Sequence, residues 1–183
     1  MFNFDKFPIL ETPRLRLRQM VTADAEDIFR IFADDEVTFY YDFETFTSVE
    51  EAHSLIDRQN ERFNRKEGLR WGITFKEQNI VIGTCGLMIT AYNRQGGIGY
   101  DLAKPYWRQG IMFEVLEAVI KFGFETADLN RFQALVIPGN EPSAKLLFKL
   151  GFQEEGTLRE YGYFKGQFHD LRCFSLLHKD IGR

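Results

Sequence analysis

The sequence predicts a mixed α/β protein of the α+β class, formed as a single domain over residues 1–183. Segments of helical and of strand-like periodicity both occur. Helices separate the strands only in places, which argues against a doubly wound parallel sheet. The length of 183 residues is close to the roughly 150 residues of a common domain. With 44% hydrophobic residues, the chain is too apolar for a disordered protein and can bury its own core.

The first part of the chain predicts a strand and two helices. Arginines alternate with leucines over Arg14–Arg18, which indicates a half-buried strand. Thr22 precedes a helical apolar pattern over Ala23–Asp34, and threonine is a favoured helix cap. Overlapping capping boxes, Thr47/Glu50 and Ser48/Glu51, begin a second helix that runs to about Lys66. The apolar side of that helix consists of Ala52, Leu55, Ile56 and Phe63.

Three strands and a long helix follow. The strands are Trp71–Phe75, Ile80–Ile89 and Ile98–Leu102, the last after a predicted turn at Asn93–Gly97. Residues from Gln109 to about Thr126 have an apolar stripe at helical spacing. The middle of the chain therefore predicts most of a sheet and the helix that covers it.

The last part predicts a strand, a short helix and a hairpin. Arg131–Ile137 is apolar enough for a buried strand. Asn140 is a favoured cap for a helix over Glu141–Leu150. Two strands then run from Phe152 to about Leu177, with a turn at Lys165-Gly166.

Composition excludes several classes of function. The formal net charge of −4 argues against a dedicated nucleic-acid-binding protein, which usually has a strongly basic face. We expect no signal peptide, and no apolar run approaches the roughly 20 residues of a membrane helix. Cys85 and Cys173 have neither metal nor redox spacing, so we expect no metal and a reducing, cytoplasmic location.

The segment Ile98–Glu114, IGYDLAKPYWRQGIMFE, is the most informative about chemistry. A strand ends, a turn with Pro105 follows, and a long helix begins. The first amides of a helix lack internal partners and attract anions, Gly110 permits close approach, and Arg108 adds a positive charge. From these residues alone, a phosphate site and an ordinary strand–helix connection are about equally good interpretations. The segment is neither a P-loop nor a dinucleotide fingerprint.

Four motifs together resemble the GNAT acetyltransferases, especially the ribosomal-protein N-acetyltransferases of the RimJ/RimL type. They are ETPRLRLR, IGYDLAKPYWRQGIMFEVL, IPGNEPSAKLLFKLGFQEEGTLRE and GQFHDLRCFSLL, in this order over residues 11–180. The resemblance implies a mostly antiparallel sheet of about seven strands, splayed in the middle and flanked by about four helices. It also implies acetyl-CoA as the co-substrate and an amine as the acceptor.

The resemblance further implies where CoA binds. Its pyrophosphate would lie on the amides of the loop formed by Trp107, Arg108, Gln109, Gly110, Ile111 and Met112. Gly110 matches the family pattern, whereas Trp107 stands for Gln or Arg and Met112 for Gly or Ala. The departure at Met112 bears on CoA affinity. The pantetheine arm would pair with the backbone of Tyr100, Asp101 and Leu102, and the Leu102 amide would bind the thioester oxygen as it gains negative charge.

Catalytic roles also come from the resemblance. Asn140 and Ser143 match an Asn-x-x-Ser motif, in which Asn140 contacts the CoA arm and Ser143 lies near the sulfur and protonates the departing thiolate. Many relatives use a tyrosine five residues later, where this chain has Phe148, which is expected to line the CoA site. Phe148 cannot give a proton, so either Ser143 or bulk water must supply it.

The general base has several candidates. Many GNAT enzymes place a glutamate early in the fourth strand, where this chain has Gly96 and Gly97. Glu160 is our choice over Asp101 and Asp170, because it follows a motif of the acceptor side. A solvated carboxylate on a strand is an equally good interpretation of Glu160, Asp170 is compatible with a structural role, and His169 reads as a sheet histidine.

An aromatic cluster precedes the second helix and consists of Phe39, Tyr40, Tyr41, Phe43 and Phe46. In the family this region borders the acceptor groove, so the cluster either grips the acceptor or packs under a loop. Asp42 and Glu44, the acids within it, are suited to attract a cationic amine.

The sequence therefore predicts an acetyl-CoA-dependent N-acetyltransferase whose bound amine attacks the thioester directly. The expected acceptor is the α-amine of a ribosomal or other protein N-terminus. One alternative is a polyamine or aminoglycoside acetyltransferase. Another is a non-catalytic acyl-CoA-binding module, favoured by Met112, Phe148 and the missing strand glutamate. Monomer and homodimer remain open, since the last strands offer an edge for pairing.

Overall fold

The structure is a computed structural model that describes residues 5–181. Within this range the chain forms an eight-stranded sheet of order β1-β2-β3-β4-β5-β6-β8-β7. The strands are β1 (Leu10–Glu11), β2 (Leu15–Gln19), β3 (Gly68–Phe75), β4 (Gly83–Thr90), β5 (Gln95–Leu102), β6 (Arg131–Val136), β7 (Gln153–Phe164) and β8 (Gln167–Leu177). The helices are α1 (Ala25–Phe32), α2 (Asp35–Thr38), α3 (Val49–Asn64), α4 (Ile111–Glu125) and α5 (Glu141–Lys149).

The predicted fold class is confirmed. All neighbouring strands pair antiparallel except β5 and β6, which are parallel. The elements beyond the expected seven strands and four helices are β1, with two residues, and α2, with a single turn. Neither is long enough to leave a periodic apolar pattern in the sequence.

Two local predictions are wrong, and each has a physical reason. Thr22 does not cap α1, because a 3₁₀ turn over Thr22–Asp24 comes first and the Asp24 carboxylate accepts a hydrogen bond from the Val21 amide at 2.8 Å. The segment Asn93–Gly97 is not a turn throughout, because β5 begins at Gln95. A Cβ on Gly96 would lie 2.7 Å from two leucine side chains, so this glycine makes room within a crowded strand.

The capping box of α3 is confirmed. Ser48 is the N-cap, and the Glu51 carboxylate accepts hydrogen bonds from the Ser48 and Thr47 amides at 3.0 and 2.7 Å. The four apolar residues predicted for this helix are all buried. The Asn140 cap of α5 is also confirmed, since its side chain accepts from the Ser143 amide at 3.3 Å.

Hydrophobic clusters cover both faces of the sheet. One contains the buried stripe of α4, two residues of α5 and alternate residues of the strands, including Trp71 and Ile73. The other contains α1 and α3 packed on Met20 and Val81. We call these the α4 face and the α3 face. Gly72, between Trp71 and Ile73, meets Met20 and Val81, as the alternation of a strand requires.

The sheet separates between its two parallel strands. β5 and β6 pair only over Gln95–Gly97 and Arg131–Gln133. Beyond this, β5 continues beside β4 as far as Leu102, and β6 continues beside β8 as far as Val136. The result is a gap that opens in the middle of the sheet, at the predicted position.

Candidate active site between the splayed strands

A cavity of about 330 Å³ lies at this gap. Its walls come from both faces of the sheet and from the terminal hairpin. The lining residues are Tyr40, Tyr41, Asp42, Arg70, Ile98, Gly99, Tyr100, Ala134, Leu135, Val136, Ile137, Asn140, Ser143, Phe164 and Leu171. Of the residues predicted for the site, Tyr100, Asn140 and Ser143 are thus brought together here.

Backbone groups of β5 face the gap. The Ala103 amide donates to the Ile82 carbonyl of the β4 side at 2.8 Å. Because the backbone groups of successive residues alternate between the two edges of a strand, the amides of Tyr100 and Leu102 point away from β4. At this position β6 has already diverged. The Leu102 carbonyl accepts a hydrogen bond from the Trp107 indole at 2.6 Å, which ties the following loop to the end of the strand.

The loop before α4 has the backbone of an anion site. Arg108 and Gly110 both have left-handed backbone conformations, with φ of 60° and 72°. The Glu114 amide donates to the Gly110 carbonyl at 3.1 Å as the first bond of the helix. The amides of Ile111, Met112 and Phe113 therefore have no partner within the helix, and they face the end where the helix dipole is positive. A Cβ on Gly110 would make only an ordinary contact with Arg14 Nη2 at 3.8 Å, so its positive φ is what favours glycine.

Contacts with Arg14, directly before β2, hold this loop in place. Arg14 donates to the Gln109 carbonyl at 3.2 Å and to the Glu114 carboxylate at 2.6 Å. Gln109 in turn donates to the Pro105 carbonyl at 2.8 Å. Burial opposes the charge on Glu114, but the hydrogen bonds from Thr12 and Arg14 outweigh it and lower the pKa of this carboxyl. Glu114 is therefore ionised at neutral pH and anchors the start of α4.

Met112 does not narrow the cavity. Its side chain is buried in the hydrophobic cluster of the α4 face, as is that of Ile111. Neither residue lines the cavity. The core thus accommodates the Met112 side chain, which stands where the family pattern has glycine or alanine. Only the backbone of Ile111 and Met112 faces the start of the helix.

Two hydroxyl groups meet on the α4 side of the cavity. The Tyr100 hydroxyl lies 2.8 Å from Ser143 Oγ. Burial, opposed by this hydrogen bond, raises the pKa of Tyr100 to about 12, so its hydroxyl is protonated at neutral pH. Sequence reasoning assigned Tyr100 through its backbone alone and missed its hydroxyl. The signal was a tyrosine at the alternate position between the buried Ile98 and Leu102. Phe148 is half exposed, packs on Phe174 with ring centroids 5.4 Å apart, and does not line the cavity.

The candidate bases lie in different surroundings. Asp101 is buried and accepts hydrogen bonds from Arg70, Thr84 and Tyr41. Glu160 is exposed, has a positive φ of 49° at an irregularity of β7, and donates from its amide to Asp170 Oδ1 at 2.8 Å. Asp170 thus supports this irregularity. Neither Glu160 nor Asp170 lines the cavity, whereas Asp42 does.

A buried polar network forms the α3 side. Arg70 donates from Nε to Thr84 Oγ1 at 2.7 Å and from Nη2 to Asp101 Oδ2 at 2.9 Å. The Tyr41 hydroxyl donates to the same Asp101 oxygen at 3.0 Å. Burial opposes the charge on Arg70, but Tyr41 and Asp101 outweigh it and raise the pKa of the guanidinium. Burial also holds the pKa of Tyr41 well above its usual value.

The aromatic cluster divides between the two roles expected of it. Phe43 and Phe46 pack on Phe32, with centroids 5.1 and 5.3 Å away. Tyr40 and Tyr41 instead line the cavity. The Tyr40 hydroxyl donates to the Gly139 carbonyl before α5 at 2.9 Å, so the segment after α2 bridges the gap.

Residues 5–181 lack a membrane-spanning helix and a metal-binding cluster. No helix in this range is both long and apolar enough to cross a membrane. The same range holds no group of three or more His, Cys, Asp or Glu residues arranged to hold a metal ion.

Comparison with known proteins identifies the family. The acetyltransferase (GNAT) domain family matches residues 14–153. The chain is 43% identical to the uncharacterized N-acetyltransferase YoaA of Bacillus subtilis over 172 residues, which cover 93% of this chain and 97% of that protein. It is 36% identical to the ribosomal protein uS5-alanine N-acetyltransferase of Escherichia coli over 73 residues, 40% of this chain and 38% of that enzyme.

A solved structure shares the fold. RimL, a ribosomal L7/L12 α-N-protein acetyltransferase in complex with coenzyme A, superposes with a TM-score of 0.83 at 22% identity, covering 93% of this chain and 98% of RimL. The splayed strands, the inward strand amides and the free helix start fit the thioester arm and pyrophosphate of CoA. The chain belongs to the GNAT family and is an N-acetyltransferase that uses acetyl-CoA.

Proposed function

We propose that the chain transfers an acetyl group from acetyl-CoA to a protein or peptide N-terminal α-amine, in the cytoplasm. The observation that carries this proposal is a single cavity that joins groups of the α4 face to groups of the α3 face. Two substrates that enter from opposite faces can meet there. The named activities of the uS5-alanine enzyme and of RimL favour a protein α-amine. The two buried free thiols suit a reducing compartment.

CoA would bind along the α4 face. The amides of Gly110, Ile111, Met112 and Phe113 would hold the pyrophosphate, with Arg108 adding a positive charge. The pantetheine arm would run beside the backbone of Tyr100–Leu102 and past Asn140. Trp107, through its bond to the Leu102 carbonyl, would fix the angle between the strand and the loop.

The reaction needs few groups. The neutral amine attacks the thioester carbon, and the Leu102 amide stabilises the negative charge that develops on its oxygen. The carbon–sulfur bond then breaks, and Ser143 donates a hydrogen bond or proton to the departing thiolate. The proton lost by the amine passes to a carboxylate or to water.

The decisive experiment measures binding and turnover separately. Calorimetry with acetyl-CoA is expected to show micromolar binding that Gly110→Asp abolishes, because a carboxylate and a strained φ are placed at the anion site. Gly156→Asp is the matched control, since Gly156 also has a positive φ but lies in open space on β7. Mass spectrometry should then detect acetylated peptides with N-terminal alanine. Transfer to spermidine or an aminoglycoside alone would contradict the peptide acceptor, and binding without any turnover would favour a non-catalytic module.

A second experiment tests the base. Glu160 is the base that the sequence favours, whereas Asp42 is the acid among the residues that line the cavity. We expect Asp42→Asn to lower kcat about 100-fold and Glu160→Gln to change it less than about twofold. A loss of kcat in Glu160→Gln with none in Asp42→Asn would assign the base to Glu160.

A further inference from the structure

On the α3 face of the cavity, two glycines of neighbouring strands lie in line with Arg70. Arg70 of β3 lies opposite Gly86 of β4, and Gly86 lies opposite Gly99 of β5. Residues directly opposite each other share a face of the sheet. The Arg70 side chain therefore crosses Gly86, where a Cβ would meet Arg70 Nη1 at 2.9 Å. A Cβ on Gly99 would have nothing within 4 Å. The guanidinium thus ends beside open space above Gly99.

Nη1 of Arg70 carries N–H groups that can donate hydrogen bonds into this space. The other guanidinium nitrogens bond to Thr84, Asp101 and Tyr41, whereas Nη1 has no protein partner among residues 5–181. No fully buried side-chain nitrogen or oxygen of these residues lacks a partner. Nη1 must therefore reach accessible space, and Arg70 lines the cavity. Its carboxylate partner Asp101 is not in the lining.

We propose that Arg70 Nη1 binds a carbonyl or carboxylate oxygen next to the acceptor amine, in the space above Gly99. This inference rests on the proposed function and deepens it. The acceptor class is a primary amine whose α-carbon also carries the carbonyl or carboxylate group, as in a peptide N-terminus or a free amino acid. Arg70 is then a specificity-determining residue on the face opposite the CoA arm.

Electrostatics favours this class over a polyamine. Nη1 of Arg70 presents only hydrogen-bond donors, so it can bind an oxygen but not an ammonium group, although Asp101 and Asp42 offset part of its positive charge. An α-amine, with an ordinary pKa of about 8, is neutralised more readily than an alkylamine with one of about 10. The carbonyl or carboxylate oxygen beside an α-amine accepts a charge-assisted hydrogen bond from this guanidinium. A polyamine offers no such oxygen.

The test uses a pair of matched acceptors. Alaninamide is compared with its carbonyl-free isostere, in which an isopropyl group replaces the carboxamide, and kcat/KM is expressed per neutral amine. We expect the wild type to prefer alaninamide by at least about tenfold. Arg70→Lys should lower kcat/KM for alaninamide about 10- to 100-fold and for the isostere less than about twofold. Arg18→Lys is the matched control, because Arg18 forms a similarly enclosed pair with Asp24 outside the cavity.

A second variant covers the case in which Arg70→Lys does not fold. Gly99→Val projects a side chain into the proposed oxygen site, where a Cβ has nothing within 4 Å. It should raise KM for alaninamide at least about fivefold and leave KM for acetyl-CoA unchanged. An alanine peptide and free alanine, run in parallel, distinguish the two natural sources of the oxygen.

Each failure has its own meaning. Equal losses with both acceptors in Arg70→Lys, an unchanged KM in Gly99→Val, or a wild type that uses the isostere as well as alaninamide would overturn the role of Arg70. In those cases the acetyltransferase function stands. A wild type that acetylates none of these amines would overturn the proposed function and the inference together.

Discussion

The two faces of the cavity are built from different kinds of groups. The α4 face is mainly backbone: strand amides at Tyr100 and Leu102 and the unpartnered helix start after Gly110. The α3 face is mainly side chains, with Arg70, Thr84, Asp101 and Tyr41 joined in one hydrogen-bond network. A backbone site depends little on the side chains around it, and that of Met112 is buried in the core. A side-chain network depends on every member, because an unpaired buried charge is costly.

The largest effect should come from breaking the side-chain network. The exposed fractions of the Arg70 and Asp101 side chains are 13% and 2%. Asp101→Ala leaves the guanidinium buried without its carboxylate, so we expect a loss of about 3–5 kcal/mol in the free energy of unfolding. Urea denaturation measures this. Glu61→Ala, which breaks the exposed pair with Arg65, should cost only about 0.5 kcal/mol. Similar losses in the two variants would mean that the network does not stabilise the α3 face.

A smaller and purely kinetic effect should come from the hydroxyl pair on the α4 face. Ser143→Ala should lower kcat about 100-fold. Tyr100→Phe should lower it about tenfold, because Ser143 loses the partner that orients it. The double variant should be no worse than Ser143→Ala, since the two hydroxyls act as a unit. Steady-state kinetics with acetyl-CoA is the measurement, and Ser54→Ala on the exposed side of α3 is the control.

The chemistry of the leaving group sharpens this prediction. A thioester of a more acidic thiol needs less help from a proton donor. The defect of Ser143→Ala should therefore shrink with such a substrate. A defect of the same size with both thioesters would assign Ser143 to binding rather than to thiolate departure.

The same contrast explains what the sequence could predict. The strand–Gly110–helix junction, the Asn140 cap and the splay are local or carried by contiguous motifs, and the structure contains all three. The Arg70–Asp101 pair joins strands whose residues are 31 positions apart, and Tyr41 lies a further 29 positions before Arg70. No periodicity reports such a contact. Asp101 therefore read as a free carboxylate in the sequence, although it is a buried ion-pair partner in the structure.

The surroundings of Glu160 could not be read from the sequence for a related reason. The sequence predicts that Glu160 lies in β7, and regular alternation would then predict the face of its side chain. The irregularity of β7 between Leu158 and Gly162 interrupts this alternation. Alternation fixes the face of a side chain only while the register is regular. The same irregularity separates Glu160 from the cavity-lining Phe164 of the same strand.

The smallest expected effect on stability concerns the end of the gap where β5 and β6 still pair. Glu155 accepts hydrogen bonds from Arg131, the first residue of β6, and from Ser175. These bonds lower the pKa of Glu155 from 4.5 to about 2. Its charged form is thus favoured by folding. The stabilisation is present above the unfolded pKa and is lost as the pH falls from about 4.5 towards about 2.

Glu155→Gln should therefore destabilise the protein at neutral pH and converge with the wild type in acid. The Glu155 side chain is 44% exposed, so solvent screening limits the effect to less than about 1 kcal/mol. Urea denaturation at about pH 7 and about pH 2 measures the difference. Glu125→Gln, in the exposed pair with Lys121, should show no comparable pH dependence. A difference that is constant or grows in acid would mean that Glu155 acts through packing, and that the closed end of the gap does not depend on this ion pair.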